Sequence, residues 1–172
     1  AAVHDRLLRP DRPTGGVTPR VPLAGAGPRN RLSAGACGRS GRFWVGSMHE
    51  DATESSGRLH CLEPTGESFS ERGEVGVPNG LAFAPDGRTM YYADSLARAA
   101  WAYDYDPSDG SLSGERLIAD FTDLPGTADG ATVDEDGCYW IACVFGSAIA
   151  RITPAGRVDR IIEVPVDKPT KP

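Results

Sequence analysis

Apolar and polar positions alternate in short runs along most of this chain, with the period of β-strands and no stretch of helical period. F-W-V-G-S-M at 43 to 48 and R-L-H-C-L-E at 58 to 63 read as two strands, joined by a loop rich in Glu, Asp and Ser. Four more follow, at 81 to 84, 89 to 94, 100 to 105 and 116 to 121. A last group reads at 131 to 134, 139 to 144, 148 to 152 and 158 to 164. The predicted fold class is all-β.

The turns between these runs repeat. Gly41, Gly87 and Gly137 are separated by 46 and 50 residues, and Gly66, Gly110 and Gly156 by 44 and 46. One propeller blade takes roughly 40 to 50 residues, so residues 30–172 read as a partial β-propeller of about three blades. A closed ring needs at least about four blades, so either partner chains complete the stack or the chain is an incomplete copy of a longer protein. Asn79, Asp129 and Ser33 each lie eight residues before a first turn glycine. Residues at the start of innermost strands face the mouth of a propeller channel, so these three are expected to converge there. Asn and Asp offer a carbonyl and a carboxylate to a hard cation. Asn-Gly and Asp-Gly are also common turn pairs, which is the alternative reading of both sites.

Composition divides the chain at its amino end. All 13 aromatic residues lie at or after Phe43, and residues 1 to 42 carry eight arginines against Asp5 and Asp11. That part is therefore +6, and the total of −6 leaves −12 for the remainder. Residues 1–29 hold five prolines and four glycines and are expected to be loop or disorder outside the propeller. A nucleic-acid-binding arm is the alternative there, although no aromatic is interleaved with the arginines. The acidic remainder argues against nucleic acid or an anionic membrane as partner. No run of about 18 apolar residues exists, which excludes a membrane helix, and no secretory pattern opens the chain. Cys37, Cys61, Cys138 and Cys143 lack metal-ligand spacing, so they read as isolated thiols in a reducing, cytoplasmic setting.

Three long runs are V-P-N-G-L-A-F-A-P-D-G-R-T-M-Y-Y-A-D-S, W-A-Y-D-Y-D-P-S-D-G-S-L-S and F-T-D-L-P-G-T-A-D-G-A-T-V-D-E-D-G-C-Y-W-I-A. Together with G-R-F-W-V-G-S-M at 41 to 48 and the ending V-P-V-D-K-P-T-K-P, they closely resemble the gluconolactonase and regucalcin (senescence marker protein) family over about residues 30–172. The resemblance implies a six-bladed β-propeller, of which this chain would be an N- and C-terminally incomplete copy. It implies one divalent cation in the channel (Ca²⁺, Zn²⁺, Mn²⁺ or Mg²⁺) and hydrolysis of a sugar lactone. In the family pattern Asn79 is a metal ligand, Asp129 is a second ligand and the general base, and Arg31, with Ser33 beside it, contacts substrate. The family phrase R-x-N-D-G reads R-L-S-A-G at 31 to 35, and the acidic ligand of a first-blade E-G-P phrase has no counterpart. With one carboxylate instead of two, cation affinity should fall.

Three functions follow from these readings. The first is a metal-dependent lactonase. The second is a non-catalytic calcium-binding regulatory propeller, favoured by Ser33-Ala34 and the missing acid. The third is an inactive gene fragment whose arginine-rich start comes from a wrong reading frame. Trp44, Trp101 and Trp140 recur once per unit and are expected between blades. Asp94 and Ser95 read as a strand-end turn, or as channel-facing groups. His49, Glu50, Asp51 and Glu54 read as a solvated loop, or as a metal site or lid over the channel. His4 and His60 show no partner pattern.

Overall fold

The computed structural model describes residues 2–3, 6–10, 17–22, 25 and 27–172. Their regular structure is all β, and none of the described residues form a helix long and apolar enough to cross a membrane. The first four-stranded sheet holds β4 (Asn30–Cys37), β5 (Phe43–His49), β6 (Gly57–Leu62) and β7 (Ser68–Val75). The second holds β8 (Pro78–Phe83), β9 (Thr89–Asp94), β10 (Ala99–Tyr105) and β11 (Leu112–Asp120). The third holds β12 (Thr127–Val133), β13 (Tyr139–Val144), β14 (Ala148–Ile152) and β15 (Val158–Glu163). Each is an antiparallel meander in chain order, and β8 lies between β4 and β12. Three sheets fanning out from their first strands is a β-propeller-type arrangement.

Three further strands, β1 (Ala2–Val3), β2 (Arg6–Pro10) and β3 (Val17–Pro22), form an antiparallel sheet of their own. This differs from the expectation of loop or disorder over 1–29. Leu7, Leu8, Val17 and Val21 have strand propensity, Pro10 and Pro22 fall at strand ends and Pro19 on an edge strand, the places where sheets tolerate proline. The remaining residues up to 24, His4 among them, lie outside the described residues.

Two apolar layers hold the sheets together. Trp44, Leu59, Cys61 and Val75 meet Leu81, Met90, Tyr92 and Tyr103 between the first and second sheets. Tyr91, Ala93, Ala102 and Ile118 meet Ala131, Tyr139, Ile141 and Ala150 between the second and third. Two of the three tryptophans stand between sheets as expected. Trp44 is fully buried, edge-on to Tyr105 at 6.3 Å. Trp101 stacks on Tyr92 at 5.7 Å, and Arg72 of β7 lies 4.8 Å above its ring. Trp140 serves its own sheet: Nε1 donates to Asp134 Oδ2 at 2.7 Å, and Arg151 covers the ring at 5.8 Å.

His60 is fully buried on β6; Nε2 meets Ser47 Oγ at 2.9 Å, and Nδ1 has no partner. Burial, with the positive charge of Arg58 adding to it, pushes its pKa down to about 4. The ring is therefore neutral in the fold, while the unfolded chain protonates it near the ordinary value of about 6.5. The stability tied to the neutral ring is complete above that value and is lost as pH falls toward about 4. At about 1.4 kcal/mol per pKa unit the loss reaches roughly 3 kcal/mol at the acid end. Thermal melting between pH 7 and pH 4 is expected to show this slope, and His60→Gln is expected to remove it; an unchanged slope in the variant would contradict the assignment.

Candidate functional site

All three inner strands break register at the same level. The shifts fall between Leu32 and Gly35 on β4, Asn79 and Ala82 on β8, and Ala128 and Ala131 on β12. Such bulges re-aim side chains and are over-represented beside active sites. Ser33 and Asp129 sit inside their shifts, and Asn79 is the last paired residue before its own. The positions matched by spacing in the sequence thus lie inside or at the edge of a register shift on each inner strand.

Asn79 and Asp129 come together across β8 and β12, and the Asn79 amide lies 3.1 Å from Asp129 Oδ1. The amide has two orientations. With Nδ2 toward the carboxylate, it donates to Asp129 Oδ1 at 3.1 Å and to Pro78 O at 3.3 Å, while Oδ1 accepts from Ser95 Oγ at 2.9 Å. Turned over, Nδ2 donates to Ser95 Oγ at 2.9 Å and toward Ala128 O at 3.4 Å, and Oδ1 faces the carboxylate. Two oxygens at that distance repel one another unless a cation draws both. Asp129 is half-buried, and desolvation raises its pKa against the opposing pull of the Gly130 N–H. Among the described residues no lysine, arginine or histidine pairs with it.

The loop leading into Asn79 is fixed by Asp94. Its buried carboxylate accepts from the N–H groups of Gly76 at 2.7 Å, Val77 at 2.9 Å, Leu96 at 2.9 Å and Ala97 at 3.2 Å, and from Tyr92 Oη at 3.0 Å. The strand-end turn is therefore the role of Asp94. Ser95 next to it reaches the site, so the two residues divide the two alternatives read for them, Asp94 the turn and Ser95 the channel-facing group. Two supports were hidden in the sequence. Tyr139 Oη donates to Gly80 O at 2.7 Å, and Gly80, at φ +62°, leaves the space that this ring fills.

The donor set suits a hard cation in kind. Asn79 Oδ1 and a carboxylate oxygen of Asp129 are close enough for both to touch one ion with bonds of about 2.3 to 2.6 Å, the range of Ca²⁺–oxygen contacts. Among the described residues no three His, Cys, Asp or Glu side chains gather around one point. Arg31 and Ser33 are exposed on β4, and no hydrogen bond joins either to Asn79 or Asp129; Arg31 Nη1 donates weakly to Leu32 O at 3.4 Å. His49 is buried at the end of β5, and the residues after it form a salt-bridged surface segment, with Arg29 donating to Glu50 at 2.8 Å and Asp51 at 2.5 Å. A cavity of about 340 Å³ lies toward the other end of the inner strands, among Ala36, Leu81, Phe83, Ala131 and Val133, and no carboxylate lines it.

Comparison with known proteins identifies the family and the fold. The family model for the SMP-30/gluconolactonase/LRE-like region matches residues 1–172. Regucalcin of Xenopus laevis is 32% identical over 149 residues, 83% of this chain and 50% of its own. A calcium-binding protein, regucalcin, from Agrobacterium tumefaciens is 28% identical, with a TM-score of 0.89 over 99% of this chain and 58% of that one. A luciferin-regenerating enzyme is 27% identical, with a TM-score of 0.90 over 99% and 60%. The chain spans about half the length of the curated relatives it matches.

Proposed function

The chain belongs to the SMP-30/gluconolactonase/LRE-like family, and from that premise we propose that it carries the cation-binding and catalytic part of a six-bladed propeller that hydrolyses sugar lactones. The approach of Asn79 to Asp129 at 3.1 Å, across two inner strands that bulge at one level, carries this reading. Asn79 Oδ1 and the Asp129 carboxylate would hold the ion, which is Ca²⁺, Zn²⁺, Mn²⁺ or Mg²⁺. When bound, a divalent cation polarises the lactone carbonyl and acidifies a water molecule. Asp129, desolvated and free of an ion pair among the described residues, takes the proton from the attacking water. Arg31 steadies the substrate's oxygens, and Ser33 adds one hydrogen bond. The four free cysteines, three of them buried, suit a reducing compartment such as the cytoplasm.

A second reading, cation binding without turnover, is favoured by Ser33 and Ala34 in the substrate phrase. The two separate in one experiment. The chain is incubated with a gluconolactone and each divalent ion in turn, and acid release is followed. Ion-dependent hydrolysis well above buffer is the expected result. Ion binding without hydrolysis would establish the second reading instead.

A further inference from the structure

Resting on the cation reading of Asn79 and Asp129, we propose that Ser95 is a positioning residue whose hydroxyl decides whether the oxygen or the nitrogen of the Asn79 amide faces Asp129. Ser95 Oγ stands 2.9 Å from the Asn79 amide and 2.6 Å from Ala128 O, the carbonyl just before Asp129. It therefore touches both strands that carry the proposed ligands.

The hydroxyl has one proton to give. Given to Ala128 O, it leaves a lone pair that accepts from Asn79 Nδ2, and Oδ1 is then presented beside the Asp129 carboxylate. Given instead to Asn79 Oδ1, it leaves Nδ2 donating to Asp129 Oδ1 and Pro78 O, an orientation in which the amide has no oxygen to offer a cation. The first arrangement is ready for an ion and the second is self-satisfied without one. Ser95 is held for this role by its own backbone, whose N–H donates to Val77 O at 3.0 Å, and by the neighbouring Asp94 turn. Removing the hydroxyl takes the 2.9 Å partner of Nδ2 away from the ion-ready orientation, while the other keeps both of its Nδ2 bonds. Loss of such outer partners typically weakens metal binding about 10- to 100-fold.

The test is calorimetric titration of Ca²⁺ alone into the full chain and its variants, with melting curves to confirm the fold. Ser95→Ala is expected to raise the dissociation constant about 10- to 100-fold, and Ser95→Thr, which restores a hydroxyl, is expected to bring it back. Should the alanine variant fail to fold, Ser95→Cys keeps a similar shape with a weak donor and is expected to lose affinity as well. Unchanged affinity in Ser95→Ala would overturn the proposal while leaving the cation site in place. Equal losses in the alanine and threonine variants would also overturn it, since packing and not the hydroxyl would then be responsible. No binding by the unmodified chain would instead refute the cation reading, and this proposal with it.

Discussion

Asp129→Asn is expected to abolish measurable Ca²⁺ binding and to lower cation-dependent lactone hydrolysis about 100- to 10,000-fold, the span usual for losing a general base. The change keeps the side chain's size and removes the negative charge that lies 3.1 Å from the Asn79 amide. Stability should not suffer. The Asp129 carboxyl is desolvated, without an ion pair among the described residues, and its pKa is raised chiefly for that reason. A neutral amide in its place removes the cost of a half-buried charge, so the variant should melt no lower than the parent in a chelator. Calcium titration, lactone turnover and melting curves on one preparation check all three. Full turnover in Asp129→Asn would show that the base lies elsewhere.

Gly80→Ala is expected to damage both fold and site. A Cβ at this position would stand 2.0 Å from Tyr139 Oη and 2.8 Å from Ala93 Cβ, and the backbone is at φ +62°. Overpacking of a core costs about 1 to 3 kcal/mol and an enforced left-handed residue about 1 to 2 kcal/mol more. The Tyr139 ring, stacked on Tyr91 at 4.8 Å, cannot yield without opening the layer between the second and third sheets. Its hydroxyl would also lose Gly80 O, and Asn79 next door would leave Asp129. A melting temperature many degrees lower, with Ca²⁺ affinity falling in the same variant, is the expected outcome. Near-parental stability would mean that the strand relaxes at no cost.

The site's two main residues were legible in the sequence because each precedes a glycine and lies a fixed distance before a turn glycine, a pattern that backbone geometry repeats as a register shift. Ser95 was legible only as one of two alternatives, a strand-end turn or a channel-facing group, and its partner was not legible at all. Its role depends on Ala128, which is 33 residues away in sequence and meets it only when the second and third sheets come together. Strand β7 (S-F-S-E-R-G-E-V) escaped the hydrophobic pattern because most of its residues are polar, yet it supplies Val75 and Phe69 to the core and Arg72 over Trp101. The strands within 2–22 were hidden by proline and arginine, since pairing on an edge makes smaller demands on composition than a central strand does. The Gly80–Tyr139 contact leaves no trace in the pattern either, because a close approach between two sheets follows from packing and not from the spacing of one strand.

The most direct test is to crystallise the chain with Mn²⁺ and locate the ion by its anomalous scattering. The ion is predicted to touch Asn79 Oδ1 and a carboxylate oxygen of Asp129, with Asn79 Nδ2 turned to Ser95. An ion bound elsewhere, or Nδ2 still donating to Asp129 at saturating Mn²⁺, would contradict the account.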